Sequence, residues 1–130
     1  MPTRYRVLVA DDYETVRVLW RDALRKPVDA YEVVTAGNGH DALEEIVRMP
    51  FDLIVTDIAM PGMDGVELTQ AIRQLGHRIP VIWITASRIP NLAQEAERLA
   101  VHRYLFKPLE VDEMRQVVAA ALEDPQEETI

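Results

Sequence analysis

The chain contains no cysteine, so disulfide bonds and thiolate metal sites are both excluded. This composition suits a reducing compartment, and we expect a cytoplasmic location. Basic residues are the minority, with 14 Lys and Arg against 22 Asp and Glu, and the formal net charge is −8. That balance argues against direct binding to nucleic acid or to an anionic membrane, since both require a basic face. No apolar stretch approaches the roughly 20 residues that a membrane-spanning helix needs.

Hydrophobic residues make up 48% of the 130 residues, enough for the core of one domain. Apolar runs of strand length alternate five times with segments of helical periodicity. The predicted strands are Tyr5–Ala10, Tyr31–Thr35, Leu53–Thr56, Val81–Ile84 and Tyr104–Phe106. The predicted helices cover about Val16–Leu24, Ala42–Val47, Val66–Leu75, Pro90–Leu99 and Val111–Leu122. This alternation predicts an α/β fold, a doubly wound five-stranded parallel sheet with five helices on both faces.

The domain is predicted to occupy residues 1–122. Residues 123–130 contain Pro125 and four acidic side chains and are predicted to form an acidic tail or a linker stub. No segment of DNA-binding or catalytic character follows the domain. We therefore expect either a stand-alone domain or a domain of a longer protein.

Polar residues stand at the ends of four predicted strands. The pair Asp11-Asp12 follows the first strand, Asp57 the third, Thr85 the fourth and Lys107 the fifth. The carboxyl ends of parallel strands lie at one edge of the sheet, and ligands bind at that edge. Three carboxylates, a hydroxyl and an ammonium group grouped there predict a site for a divalent cation and a phosphoryl group.

Each of these residues also has a purely structural interpretation. A lone acid after a strand is typically a helix cap or a turn residue, and a lone surface lysine is typically solvated. A threonine at a strand end often bonds the backbone. Three carboxylates in one cleft are different, because they repel one another and raise their pKa values, and bound Mg²⁺ would offset that repulsion.

Four segments together resemble the receiver domain of bacterial two-component response regulators. They are Leu8-Val9-Ala10-Asp11-Asp12, Asp57-Ile58-Ala59-Met60-Pro61-Gly62-Met63-Asp64-Gly65, Ile84-Thr85-Ala86 and Tyr104-Leu105-Phe106-Lys107-Pro108. Their order and intervals fit that family, chemotaxis regulators included, from about Tyr5 to Leu122. The resemblance implies a flavodoxin-like sheet with strand order 2-1-3-4-5.

The resemblance implies a phosphorylation-activated signalling switch and not an enzyme with a separate substrate. A sensor histidine kinase or a histidine phosphotransfer protein would donate a phosphoryl group to Asp57, forming an aspartyl phosphate. Asp11, Asp12, Asp57 and the carbonyl of Ala59 would hold Mg²⁺. Thr85 and Lys107 would bind the phosphoryl group, and the small Ala86 would keep the path to Asp57 open.

Thr85 and Tyr104 would form the switch pair of such a domain, the hydroxyl moving toward the phosphate and the ring turning inward. Ala59 and Ser87 would tune the lifetime of the phosphoryl group. The output partner is unknown. Relatives contact partners, or dimerise on phosphorylation, through the fourth helix, fifth strand and fifth helix. The chain departs from the family pattern near that surface: Ala100-Val101 replaces Gly-Ala, Leu109 replaces an aromatic residue, and Pro90 is expected to shorten the fourth helix.

Three other functions remain open at this point. An aspartate-dependent phosphatase or dehalogenase would need an acid at position 13, where the chain has Tyr13. A pseudo-receiver would lack part of the acid set, which here is complete. A flavodoxin-like carrier would need a phosphate-binding Ser/Thr/Gly loop after the first strand, where Asp11-Asp12-Tyr13-Glu14 would repel phosphate.

Overall fold

The computed structural model describes residues 4–25, 30–86 and 88–123, and strands and helices alternate through this part. The strands are β1 (Tyr5–Ala10), β2 (Tyr31–Ala36), β3 (Leu53–Asp57), β4 (Val81–Thr85) and β5 (Arg103–Phe106). The helices are α1 (Glu14–Arg25), α2 (Gly39–Arg48), α3 (Gly65–Gln74), α4 (Leu92–Arg98) and α5 (Val111–Glu123). All paired strands are parallel, in the order β2-β1-β3-β4-β5, which confirms the expected sheet.

Side chains that alternate along the strands feed two hydrophobic cores, one on each face of the sheet. On one face, Leu8 and Ile54 pack with apolar residues of α2, α3 and α4. On the other, Val7 and Val55 pack with α1 and α5, which contribute Trp20 among others. The central strands β3 and β4 are therefore buried along their whole length, as their nearly continuous apolar sequences predicted.

Strand and helix ends differ from the sequence prediction at several positions. β3 includes Asp57 and β4 includes Thr85, because a polar side chain does not interrupt backbone pairing. α4 is shorter than predicted and begins after Asn91, whose φ of 63° is left-handed. At the other end of α4, Ala100 has a φ of 55°. The left-handed turn is thus kept without glycine, at a cost of order 1 kcal/mol.

By their spacing, Leu19 and Val47 belong to the apolar faces of the predicted first and second helices. In the structure both are exposed, Leu19 by 42% and Val47 by 67%. The predicted tail lies outside the described residues except for Glu123, which is the last residue of α5. Ser87 also lies outside them. Within the described ranges, no helix has both the length and the apolar character needed to cross a membrane.

Candidate functional site

Asp11 directly follows β1 and is fixed by its neighbours. Its backbone N–H donates to the Ala36 carbonyl at 3.1 Å, and its Oδ1 accepts from the Tyr13 N–H at 2.9 Å. The Arg17 Nη1 group donates to the Asp11 carbonyl at 2.6 Å. These three contacts hold the β1–α1 loop, so the carboxylate of Asp11 has a defined position at the sheet edge.

Asp57 ends β3, the central strand, and is 5% exposed. Its Oδ1 accepts from the Ala59 N–H at 3.3 Å. Helix α3 begins directly against this strand end, because the Gly65 N–H donates to the Ile58 carbonyl at 2.8 Å. A Cβ at Gly65 would collide with the carbonyl oxygen of Asp57. Only glycine therefore lets α3 start this close to Asp57.

The pair Asp64-Gly65 is typical of a turn, and Asp64 is in fact the N-cap of α3. Its Oδ1 accepts from the Glu67 N–H at 2.8 Å, while the Glu67 side chain accepts from the Asp64 N–H at 3.0 Å. This reciprocal capping box fixes the start of the helix. Asp64 is therefore occupied in capping, separate from the three clustered acids.

Lys107 joins the two most buried acids. Its Nζ lies 3.1 Å from Asp11 Oδ2 and 3.2 Å from Asp57 Oδ2. Its own backbone N–H donates to the Thr85 carbonyl at 2.8 Å, which fixes the residue beside the end of β4. The Lys107–Pro108 peptide bond is cis. The side chain is 23% exposed, so the residue is only partly withdrawn from water.

One ammonium group does not fully compensate the carboxylates around it. Burial raises the pKa of Asp57 above its ordinary value of 3.8, and the charge of Asp11 adds to this; Lys107 acts in the opposite direction without cancelling it. Burial is also the largest single influence on the pKa of Lys107 and lowers it. The hydrogen bonds and charges of Asp11 and Asp57 together outweigh burial and raise that pKa above 10.5.

The three carboxylates predicted to meet at the sheet edge do so. Asp11, Asp12 and Asp57 each offer an oxygen, and these atoms lie within 4.8 Å of one another. Asp12 Oδ1 is buried and has no hydrogen-bond partner in the described part of the chain. A hard cation would remove the cost of leaving that oxygen without a partner. Mg²⁺ takes oxygen ligands and keeps several waters, so this donor set fits it.

Thr85 and Tyr104 lie on neighbouring strands but are not directly paired. Thr85 is in register with Phe106, and Tyr104 is in register with Trp83. The rings of Tyr104 and Phe106 meet edge to face, with centroids 6.3 Å apart. Arg88 lies over the Phe106 ring at 4.6 Å, an arrangement typical of a cation–π contact.

The buried Trp83 is fixed in turn by α3. Its Nε1–H donates to Thr69 Oγ1 at 2.8 Å, and that hydroxyl donates to the Gly65 carbonyl at 2.7 Å. The first turn of α3, which abuts Asp57, is therefore bonded to the strand that ends at Thr85.

Sequence reasoning missed several residues around the site. Arg17 is the fourth residue of α1, and its bond to the Asp11 carbonyl leaves no signal in the sequence. Tyr13 has its ring 5.9 Å from Lys107 Nζ and is 62% exposed. Phe106 could have been found, because it is two residues from Tyr104 and so shares its face of the strand. The sequence did point to two further residues, Ala59 and Ala86, and both are exposed beside the cleft.

Comparison with known proteins gives the family. The sequence model of the response regulator receiver domain matches residues 7–119. The sensor histidine kinase RcsC of Salmonella typhi is 36% identical over 117 residues, which are 90% of this chain and 12% of that protein. Sporulation initiation phosphotransferase F of Bacillus subtilis is 31% identical over 113 residues, 87% of this chain and 90% of the relative. The chain thus spans a small part of RcsC and most of the phosphotransferase.

Solved structures agree with the sequence relatives. The chemotaxis response regulator CheY4 of Vibrio cholerae superposes with a TM-score of 0.83 at 29% identity, covering 92% of this chain and 100% of that one. The receiver domain of the Francisella response regulator 1452 gives 0.83 at 28% identity, covering 92% and 98%. The sheet order and the helix arrangement are therefore those of these proteins.

Proposed function

Because this chain belongs to the response regulator receiver domain family, whose members are phosphorylation-activated switches, we propose that Asp57 is its phosphoryl acceptor. The observation that supports this choice is the position of Asp57 at the centre of the site. Asp57 ends the central strand β3. Its carboxylate is clustered with those of Asp11 and Asp12 and is also bonded to Lys107.

In the proposed reaction, a carboxylate oxygen of Asp57 attacks the phosphorus of a phosphorylated histidine imidazole. The phosphorus–nitrogen bond breaks, and its electron pair returns to the imidazole nitrogen. Asp11, Asp12, Asp57 and the carbonyl of Ala59 would hold Mg²⁺, which would neutralise charge on the phosphoryl group during transfer. Lys107 would exchange its bond to Asp57 for one to a phosphoryl oxygen.

The donor and the output belong to the same proposal. A relative named as a sensor histidine kinase and another named as a phosphotransferase support a histidine kinase or a histidine phosphotransfer protein as donor. The output partner stays unassigned, and phosphorylation-dependent dimerisation and a cytoplasmic location stay predictions from the sequence. We also propose that the chain has no separate substrate, so it should not turn over a small phosphate ester such as p-nitrophenyl phosphate.

The acceptor is tested by incubation with acetyl phosphate and Mg²⁺, followed by intact mass measurement. The native chain should gain the mass of one phosphoryl group, and Asp57→Asn should not. Asp22→Asn, an exposed acid on α1, is the matched control and should react like the native chain. Phosphorylation that survives in Asp57→Asn, or that proceeds in excess chelator, would overturn the proposal.

We further propose that Thr85 and Tyr104 carry the switch. The register leaves Thr85 beside Phe106, so a shift of Thr85 toward Asp57 would open space next to the Tyr104–Phe106 pair. A phosphoryl group on Asp57 shifts the equilibrium between the two states only by the difference in its interaction free energy with them. Thr85→Ala should accept phosphate but show reduced amide shifts from Ala86 to Leu109 when beryllofluoride and Mg²⁺ are added. Native-like shifts in that variant would exclude the hydroxyl as the coupling group.

Ala59 and Ser87 are proposed to set the lifetime of the phosphoryl group. Ala59 is exposed beside Asp57 and offers no side-chain hydrogen bond to an attacking water. We therefore expect slower loss of phosphate than in an Ala59→Asn, Ser87→Glu double variant. Equal decay rates in the two proteins would remove these positions from the mechanism.

A further inference from the structure

A cavity of about 580 Å³ lies at the edge of the sheet opposite Asp57, where β4 and β5 begin. The connections from α3 to β4 and from α4 to β5 form its walls. Five basic side chains line it: Arg73, His77, Arg78, Arg98 and His102. None of the described residues that line it is acidic, in a chain whose formal net charge is −8. We call this feature the basic cavity.

Arg73 lines the basic cavity, and hydrogen bonds fix the position of its side chain. Its guanidinium group donates to the carbonyls of Leu99 at 2.8 Å, Ala100 at 3.2 Å, His77 at 3.1 Å and Ile79 at 2.8 Å. These bonds tie the two connecting loops together and use carbonyls at the ends of α3 and α4. Arg73 therefore supplies fixed positive charge, while four of its five N–H donors are already occupied.

The remaining basic groups have unused donors. Within the described ranges, the side chains of His77, Arg78 and His102 make no hydrogen bond or ion pair. Arg98 bonds Glu95 at 2.6 Å through Nη2, which leaves its Nη1 group free of described partners. Burial and the positive charge of Arg78 both lower the pKa of Arg73, so these two like charges lie close enough to repel each other.

A second arginine-lined cavity provides a comparison. It is smaller, about 230 Å³, and is lined by Arg4, Arg21 and Arg25 together with Glu32. Arg21 donates to Thr35 Oγ1 at 3.0 Å, and Glu32 also pairs with Arg6 at 3.2 Å. The lining of that cavity thus includes an acid, whereas none of the described residues that line the basic cavity is acidic.

We propose that the basic cavity binds a small soluble anion that carries two or more phosphate groups. Guanidinium groups bind phosphate oxygens in pairs, and Arg78 and Arg98 have donors available for such contacts. The volume lies within the roughly 300–1,000 Å³ typical of small-molecule sites. The formal net charge of −8 disfavours nonspecific anion binding elsewhere on the chain. The site is separate from Asp57, so the inference does not depend on phosphorylation.

The test is a titration of the isotope-labelled native chain with sodium pyrophosphate, followed by amide NMR. Excess chelator removes divalent cations, and a parallel titration with NaCl matches the ionic strength. Saturable shifts should centre on residues 76–80 and 99–102. Arg78→Ala should weaken apparent affinity at least tenfold, since it removes an exposed guanidinium group with no partner to lose. Arg48→Ala, an exposed arginine on α2, should bind like the native chain.

Citrate gives the second arm of the test, because it carries carboxylates in place of phosphates. Stronger binding of pyrophosphate than of citrate supports the phosphate class, whereas the reverse order overturns it. Shifts that do not saturate, that NaCl reproduces, or that centre on Asp57 or on the Arg4 cavity would also overturn the proposal. Pyrophosphate binding that Arg78→Ala leaves unchanged would do the same.

Discussion

Removal of the Lys107 ammonium group should destabilise the chain, and Mg²⁺ should reverse most of the loss. In the structure this group is 3.1 Å from Asp11 and 3.2 Å from Asp57, whose side chains are 4% and 5% exposed. Lys107→Ala leaves those carboxylates, with Asp12 beside them, without their nearest positive charge. Under the proposed function, a divalent cation in the cleft would supply that charge in place of the ammonium.

The size of the effect follows from these distances. A charge pair at 3.1 Å is worth roughly 5 kcal/mol at an effective dielectric of about 20, before the cost of removing the charges from water. Breaking a buried pair on one side typically costs about 3–5 kcal/mol. Lys107 is 23% exposed, so water screens part of its interaction with the two carboxylates. We therefore expect a loss of about 2–3 kcal/mol at neutral pH in chelator.

Urea unfolding of both proteins, with and without saturating MgCl₂, measures this loss. With a slope of about 1–3 kcal/mol per molar urea, the midpoint of Lys107→Ala should fall by about 1 M or more in chelator. In Mg²⁺ the deficit should shrink to less than about 1 kcal/mol, and the variant should bind Mg²⁺ at least as tightly as the native chain. Arg48→Ala, which breaks an exposed ion pair with Glu45, is the control and should show no dependence on Mg²⁺.

Two results would refute this reasoning. A native urea midpoint for Lys107→Ala in chelator would mean that the carboxylates do not need the ammonium group. A deficit that stays the same in saturating Mg²⁺, or a more than tenfold weaker affinity for Mg²⁺, would mean that the cation does not occupy the same cleft.

Three further predictions concern the residues around this cleft. In chelator at neutral pH, Asp57→Asn should be more stable than the native chain. The folded state raises the pKa of Asp57 above 3.8, so native stability falls as pH rises through the window above that value. Urea midpoints should converge below pH 3.8, and an advantage that grows there would contradict the assignment. Thr69→Val should cost about 1–3 kcal/mol because it leaves the buried Trp83 N–H without its acceptor, and unchanged thermal unfolding would argue against that bond. Gly65→Ala should cost about 1–3 kcal/mol through contact with the Asp57 carbonyl, whereas a Cβ at Gly37 would meet the Arg17 side chain at 3.2 Å, a milder contact that should cost less. Equal losses at the two glycines would show that α3 can retreat from Asp57.

The sheet, its edges and the acid cluster could be predicted from the sequence because each depends on a short local pattern. A nearly continuous apolar run such as Leu53–Thr56 places apolar side chains on both sides of the strand. It therefore predicts a strand that is buried on both faces of the sheet. The acids after β1 and β3 meet because parallel strands end at one edge, whatever the connecting loops do. Neither inference requires knowledge of side-chain packing.

The errors arose where tertiary contacts decide the outcome. Leu19 and Val47 fit a helical apolar pattern, but the helix faces they lie on do not meet the sheet. Arg17 and Thr69 act through bonds to a backbone carbonyl and to an indole, which periodicity does not encode. The basic cavity joins residues of two separate loops, so no contiguous motif marks it.

The two outer strands of the sheet limit how copies of this chain can associate. β5 has four residues, begins with the exposed Arg103 and is followed at once by Lys107-Pro108. β2 carries the exposed Glu32, paired with Arg6 on its neighbour. Short outer strands with charges, and a nearby proline that lacks an N–H, discourage the addition of a further strand. Concentrated solutions should therefore resist fibril formation, and self-association would have to use helix surfaces instead of extending the sheet.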